Sequence, residues 1–374
     1  MCWFLEIDKG WSLKILVSAL EVSANVHLKV LRTYLKNVEW LGIYDALEPE
    51  DQPLFSPRQF SIMGFKEVGL KLSFFYKALR QMSALCAQAD LVLLMDSSSF
   101  NIPLAKRIKA RTPHKHIIYY ILPQVWAWKS YRAKILERYC DQLGAILPFE
   151  LSYYSHKATY VGHPLLDEIP LYKIRPQGHG VVFMPGSRQQ EIRAIFPIFV
   201  EVARALPGSR VLVVPASLKG SDLEVLYGKD IALFEISYNA PQSLYEAEFA
   251  FICSGTATLE ATLIGTPFVL AYKAKALDFF IAKRLVKLTC IGLANIFYNA
   301  LHHERPGRGT TMLHPEYIQH GLHAQNLLQA YSTMDRVHFV RESQRLRAYL
   351  HTGSAQSVSE WIKKALGNPS THSK

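Results

Sequence analysis

The stretch Val181–Ile192, V-V-F-M-P-G-S-R-Q-Q-E-I, restricts the fold of this chain more than any other. The apolar residues Val181 to Met184 read as a short buried strand and Pro185-Gly186-Ser187 as a sharp turn. The spacing of Glu191, Ile192, Ile195, Phe196 and Phe199 predicts a helix opening at Arg188. A strand that runs through a glycine turn into a helix start leaves unpaired amide N–H groups pointing out of the turn, which makes a ready anion site. Arg188 adds a permanent forked charge where a phosphate would lie. An ordinary βα loop with a solvated arginine is the alternative. The phosphate reading gains from a second turn of the same build, Ser254-Gly255-Thr256, roughly one αβ repeat further on.

The rest of the chain repeats the scheme. Lys14–Ser18, Trp40–Tyr44, Leu91–Met95, Ile117–Ile121 and Leu143–Leu147 read as strands, with helices at Glu21–Lys36, Pro103–Arg111 and Lys129–Tyr139. Such alternation predicts an α/β doubly wound domain whose ligands bind at the carboxyl ends of the strands. The breakers Val161-Gly162-His163-Pro164 close that domain. The alternation then restarts with strands at Val181–Met184, Val211–Val214, Ala232–Glu235, Phe249–Cys253 and Pro267–Tyr272, and helices at Arg188–Ala205, Gln242–Ala247 and Ala257–Ile264. The expected organisation is a first domain over 13–163 and a second over 164–339, facing each other across a cleft. Helices over roughly 340–374 are expected to return to the first domain.

A length of 374 residues suits two domains, and 49% hydrophobic against 20% charged residues describes a globular protein. The formal charge of +11 calls for an acidic partner: phosphates, nucleic acid or an anionic membrane. Five scattered cysteines without a C-x-x-C pair fit reduced thiols in a cytoplasm. Glu6, Asp8 and Lys9 interrupt the first apolar residues, so no signal-peptide core forms, and residues 1–12 read as an extension before the first strand. The longest uncharged run, Leu288–Leu301, is too short to span a bilayer, which leaves peripheral binding open.

Asp96 follows the apolar run Leu91–Met95 directly, at a strand's carboxyl end, with Ser97, Ser98, Ser99 and Asn101 around it. A carboxylate placed there suits a general base; the alternative is a cap for the helix near Pro103, a role Ser99 or Asn101 would also fill. Glu21 lies just past the first strand beside Ser23 and Asn25, and its plainer role is to favour the helix dipole. In F-I-C-S-G-T-A-T-L-E, small residues admit a diphosphate, and Glu260, one helical turn after Thr256, is placed to accept both ribose hydroxyls; a solvated helix face is the alternative. Neither turn matches G-x-G-x-x-G or G-x-x-x-x-G-K-[ST], which disfavours a dinucleotide oxidoreductase and a P-loop NTPase. With no D-x-D and no H-x-x-x-H, a metal-free site without cofactor is expected, leaving-group charge being met by Arg188 and helix N-termini.

Two surface features remain. From Pro103 to Arg138 nine basic residues stand against the single acid Glu137, interleaved with Trp126, Trp128 and Tyr131. That mix suits a membrane interface or nucleic acid, and a solvated face is the commoner case. Along Phe65–Cys86, Val68, Leu72, Phe75, Leu79, Met82 and Cys86 form a core stripe at helical spacing. Leu70 and Phe74 fall off it between Lys66, Lys71 and Lys77, as a lipid surface or a second packed neighbour would require.

Four stretches in order, L-P-Q-V-W-A-W-K (122–129), V-G-H-P-L-L-D (161–167), M-P-G-S-R-Q-Q-E-I (184–192) and S-G-T-A-T-L-E (254–260), resemble the lipid-A-disaccharide synthases, and the likeness extends over roughly Leu13 to Leu366. The resemblance implies a GT-B fold of two Rossmann-like domains and an inverting, metal-independent glycosyl transfer. The implied donor is UDP-2,3-diacylglucosamine and the implied acceptor 2,3-diacylglucosamine 1-phosphate, met at the cytoplasmic face of the inner membrane. Asp96 would be the base and Glu21 the acid of the first loop. Gly186, Ser187, Arg188, Ser254, Gly255 and Thr256 would hold the diphosphate and Glu260 the ribose. Asn295 would stand on the nucleotide side, and Leu70, Phe74, Trp126 and Trp128 would meet lipid. The first loop, A-L-E-V-S-A-N, departs from the family's glycine-rich pattern, and D-S-S-S-F-N lacks its common second aspartate, leaving Asp96 as the only carboxylate there. The family includes domain-swapped dimers, so a homodimer is among the assemblies open to it. Two other readings are a UDP-sugar 2-epimerase, or transferase with a soluble acceptor, and, remotely, a basic nucleic-acid-binding protein. The last predicts strongly salt-dependent binding and leaves both phosphate turns unexplained.

Overall fold

The computed structural model describes residues 13–62, 68–127, 129–253, 255–273 and 288–367, with backbone alone at 61, 62 and 68–71. Their contacts divide them into two compact units, one within Met1–Glu168 and Thr352–Lys374, the other within Ile169–His351.

The first unit runs β1 (Leu13–Ala19), α1 (Val22–Thr33), β2 (Val38–Ile43), α2 (Pro57–Ile62), α3 (Val68–Leu85), β3 (Leu91–Met95), α4 (Ser98–Arg111), β4 (Ile117–Tyr120), α5 (Arg132–Tyr139), β5 (Gln142–Ala145), β6 (Ala158–Tyr160) and α6 (Pro164–Glu168). The sheet is parallel in the order β2-β1-β3-β4-β5-β6. Period-two alternation feeds two cores. Leu16, Val92, Leu94 and Tyr119 face α3, α4 and α5, while Ile15, Val17, Leu93 and Tyr120 face α1 and the last helix, Ser354–Gly367. That last helix is fastened by Asp167, whose carboxylate accepts the amides of Gly353 (2.6 Å) and Ala355 (2.9 Å), and by a 2.6 Å bond between the hydroxyls of Tyr120 and Ser354.

The second unit runs β7 (Val181–Met184), α7 (Gln189–Ala205), β8 (Arg210–Val213), α8 (Leu223–Tyr227), β9 (Glu235–Ser237), α9 (Ala240–Glu246), β10 (Phe249–Cys253), α10 (Thr256–Ile264), β11 (Phe268–Tyr272), α11 (Leu293–Leu301), β12 (Glu316–Ile318), α12 (Ala324–Thr333) and α13 (Arg336–Tyr349). Its sheet is again parallel, in the order β12-β11-β10-β7-β8-β9. Phe183 stacks on Phe251 at 5.2 Å in a core shared with α7 and α12. On the opposite face α10 packs against α11 and α13.

Several expectations shift. β6 and β12 are three-residue edge strands, half-exposed and without an apolar run. The strand expected at Ala232–Glu235 begins at Glu235, because Lys229–Leu233 is a short 3-10 turn. Helix α4 starts at Ser98, so Pro103 lies inside it. Leu72 is not core: it is 55% exposed, as is Tyr76, while Leu79, Met82 and Cys86 on the same stripe are buried.

Candidate active site

In an open parallel sheet the ligand crevice forms where strand order reverses. In the first unit that point lies between β1 and β3, because the chain passes from β1 to β2 on one side and then to β3 on the other. The two loops leaving there carry Glu21 and Asp96. They meet: the Ser97 hydroxyl donates to Glu21 Oε1 at 2.9 Å.

Asp96 and Ser97 both adopt left-handed backbone, φ 50° and 33°, a strained pair of non-glycine residues. The surroundings enforce it. The Asp96 amide donates to Tyr120 O (3.3 Å), and its carbonyl accepts from Asn101 Nδ2 (3.0 Å) and from the Tyr119 hydroxyl. Asn101 also donates to Met95 O (2.9 Å) and accepts from Ser18 (2.6 Å), so it braces this turn from below instead of capping α4. Burial, reinforced by the Glu21 charge, pushes the Asp96 carboxyl above its ordinary range, against opposing contributions from the Ser97 amide and His27. A half-buried carboxylate with raised proton affinity at a strand end is equipped to take a proton.

Asn25 is buried and fixes the first loop, donating to Ala19 O (2.8 Å) and Glu21 O (2.9 Å) and accepting from the Asp45 amide (2.7 Å). His27 pairs with Glu168 at the end of α6. The sequence pattern gives no signal for His27 and marks Ser97 and Asn101 only as polar neighbours or a cap, since their bonds depend on which strands are neighbours.

In the second unit the strand order reverses between β7 and β10, and both glycine turns open there. Gly186 has φ 108°, and a Cβ on it would lie 2.7 Å from Glu191 Oε2 and 3.3 Å from Cys253 Sγ, so only glycine fits. Arg188 caps α7 with extended backbone and an 81% exposed side chain. Glu191 aims it, accepting from its guanidinium at 2.7 Å and from its amide at 3.3 Å. Ser187 is exposed beside it. Gly255, φ 140°, precedes α10 with open space around it; Thr256 is exposed at the first helical position, and Glu260 is half-buried one turn later. Ser254 lies outside the described residues.

Asn295 lies inside the second unit, the one expected to serve the nucleotide. It is fully buried, its Oδ1 accepting from Leu313 N (2.8 Å) and His314 N (3.2 Å) and its Nδ2 donating to His314 O (2.9 Å) and Glu316 Oε1 (2.8 Å). All four of its amide bonds are engaged within the unit. Glu316 in turn accepts the amides of Ile291 (2.8 Å) and Gly292 (3.0 Å), setting the start of α11.

The expected lipid-facing residues also need correction. Trp126 is 7% exposed, edge-on to Phe149 at 5.7 Å, and packs inward. Phe74 lies edge-on to Phe55 (5.2 Å) and Phe60 (5.0 Å), a second packed neighbour. Trp128 and the side chain of Leu70 lie outside the described residues.

Two parallel α/β units, each with polar groups gathered at its switch point and the second opening two glycine turns there, define the two-domain GT-B class of fold. The arrangement is shared with solved structures of different chemistry. The calicheamicin glycosyltransferase CalG4 matches with a TM-score of 0.58 at 13% identity, covering 96% of this chain and 99% of that one. The UDP-GlcNAc 2-epimerase from Neisseria meningitidis, bound to UDP-GlcNAc, matches at 0.55 and 10%, covering 95% and 99%. Fold alone therefore leaves transferase and epimerase together. Sequence separates them: the family model described as lipid-A-disaccharide synthetase matches residues 15–358. A lipid-A-disaccharide synthase of Helicobacter pylori (strain Shi470) is 62% identical over 351 residues, 92% of this chain and 96% of that protein. The chain belongs to the lipid-A-disaccharide synthase family.

Proposed function

We propose that Asp96 is the general base of the family's reaction, with the first unit serving the acceptor and the second the nucleotide. The enzyme takes a UDP-sugar donor and a sugar-phosphate acceptor. It transfers 2,3-diacylglucosamine from UDP-2,3-diacylglucosamine to 2,3-diacylglucosamine 1-phosphate, giving the β-1,6-linked disaccharide 1-phosphate and UDP. Asp96 removes the proton of the acceptor's 6-hydroxyl as that oxygen attacks the anomeric carbon; the bond from that carbon to the UDP oxygen breaks, and the configuration inverts. Charge gathering on the diphosphate is met by Arg188 and by the amides opening α7 and α10, with Glu260 toward the ribose. Glu21 holds the Asp96 turn through Ser97 and keeps the base strong.

The observation that carries this reading is the Asp96–Ser97 turn itself, a strained carboxylate-bearing turn braced on every side beside a second carboxylate. Acceptor-dependent release of UDP by EDTA-treated enzyme, with a disaccharide product, tests it. Release indifferent to acceptor points back to epimerase or hydrolase chemistry.

No helix among the described residues is long and apolar enough to cross a membrane. For peripheral contact, the exposed flank of α3 supports the reading: Leu72 and Tyr76, one helical turn apart and each 55% exposed, stand with exposed Lys77 and Arg80. That flank replaces Phe74 and Trp126 as the surface for an anionic leaflet.

A further inference from the structure

The loop after β4 leads into α5, and the first residue of that helix, Arg132, reaches the turn that carries Asp96. Its guanidinium donates to the Ser98 hydroxyl at 2.6 Å. Ser98 opens α4 only two residues past Asp96, so their Cα atoms lie no more than about 7.6 Å apart. The placement is set from the core side. Ala133 and Leu136, the buried residues of α5, share one core with Phe100, Leu104, Ala105 and Ile108 of α4, which lays the two helices together. The Arg132 amide donates to Lys129 O at 3.0 Å, closing the turn from which α5 starts.

No acid neutralises this charge. Arg32, Arg336 and Arg345 each face a carboxylate, at 2.8, 3.0 and 2.6 Å. Among the described residues no carboxylate lies within ion-pair reach of Arg132, and its guanidinium makes a single hydrogen bond, to the neutral Ser98 hydroxyl. A guanidinium carries five N–H donors in a planar fork matched to paired oxygens, so most of its donors are left for a ligand. Arg132 is half-buried, and Ser97, Ser98 and Ser99 around it bring hydroxyls and no charge.

The acceptor supplies the matching anion. Its 6-hydroxyl and its 1-phosphate hang from the two carbons that flank the ring oxygen, so a base at the hydroxyl leaves the phosphate within one sugar ring. A phosphate that close to a carboxylate base is repelled by it unless a cation offsets the charge.

We infer that Arg132 binds the phosphate of the acceptor: held at the Asp96 turn by Ser98, its fork takes two phosphate oxygens while Asp96 takes the proton of the 6-hydroxyl. The inference deepens the proposed function and rests on Asp96 being the base on the acceptor side. It makes Arg132 the residue that selects a phosphorylated acceptor.

The test is steady-state kinetics of the full-length chain with two acceptors, 2,3-diacylglucosamine 1-phosphate and the same lipid without its phosphate. Arg132→Gln is expected to raise KM for the phosphorylated acceptor about tenfold to a hundredfold, the scale of a hydrogen bond to a charged group. KM for the phosphate-free acceptor and for the donor stays at the wild-type value. A wild-type chain that uses both acceptors equally well overturns the inference. An equal rise with both acceptors overturns it too, since it marks Arg132 as a brace between α4 and α5, and a rise in donor KM alone gives the cation to the diphosphate instead. Should Arg132→Gln fail to fold, Arg132→Lys keeps the charge and loses the fork. A smaller rise confined to the phosphorylated acceptor then supports the inference, and wild-type constants with both acceptors refute it. Failure of the base reading looks different: Asp96→Asn then turns over normally, whatever the Arg132 variants do.

Discussion

The hydroxyl of Ser97 donates a 2.9 Å hydrogen bond to Glu21 Oε1, joining two loops 76 residues apart in the chain. Because β1 and β3 are neighbours, both loops rise from the switch point of one sheet. The bond brings a second negative charge toward Asp96, and that charge adds to burial in raising the Asp96 carboxyl.

Replacing Glu21 by Gln removes the charge and keeps an acceptor for Ser97. The Asp96 carboxyl then falls toward its ordinary range, so the acidic limb of kcat/KM moves to lower pH and the plateau rate drops as the base weakens. A pH–rate profile of the variant checks this; an acidic limb that stays in place or moves upward would mean that Glu21 does not act on Asp96.

Arg188→Ala is expected to weaken UDP binding by about 1.5–3 kcal/mol, the range for a hydrogen bond to a charged group. Gly186→Ala should weaken it too without touching the arginine. Its Cβ would lie 2.7 Å from Glu191 Oε2, displacing the carboxylate that aims the guanidinium. Calorimetric titration of UDP into both variants decides: wild-type affinity in Gly186→Ala would show that Glu191 does not set the arginine.

Asn295→Ala should act on stability before binding. The substitution leaves the amides of Leu313 and His314 without an acceptor, while Glu316 Oε1 keeps the amide of Gly292. With each orphaned group costing about 1–3 kcal/mol, a loss of roughly 3 kcal/mol or more is expected in denaturant unfolding of the second unit. A variant of normal stability that binds UDP poorly would return Asn295 to direct nucleotide contact.

Each unit also carries a buried histidine, His163 in the first and His314 in the second, both pushed down to about 3 by burial. Folded, they stay neutral; unfolded, they take up a proton below about pH 6.5. Their folded-state pKa is depressed, so full stability holds above about 6.5 and is lost as the pH falls toward 3. The slope approaches about 1.4 kcal/mol per pH unit for each histidine. Urea midpoints for both units should drop between pH 7.5 and 5.5; midpoints constant over that range would place these rings in contact with solvent.

How far the chain was readable follows from what sequence periodicity encodes. Leu91–Met95, Val181–Met184 and Phe249–Cys253 are uninterrupted apolar runs, and each is a central parallel strand with the bounds its residues mark. Ala158–Tyr160 and Glu316–Ile318 are edge strands whose pairing comes from their neighbours and leaves no apolar run. For α3, spacing gives the inward face but not how far along the helix that face stays covered, which is why Leu72 is exposed and Leu79 is not. Asp96 and Arg188 were visible because each directly follows a strand or its turn. Ser97 and Asn101 were legible only as polar neighbours or a cap, because their bonds to Glu21 and Ser18 depend on which strands are neighbours.

The most direct test of the central claim is Asp96→Asn, assayed for acceptor-dependent UDP release beside a calorimetric UDP titration. Asparagine tolerates the left-handed backbone at this position, so the fold should survive. The account predicts turnover reduced by about 10²–10⁴-fold, the usual worth of a general base, with UDP affinity unchanged. Turnover within a few-fold of wild type, with UDP still bound, would contradict it and remove Asp96 from the proton transfer.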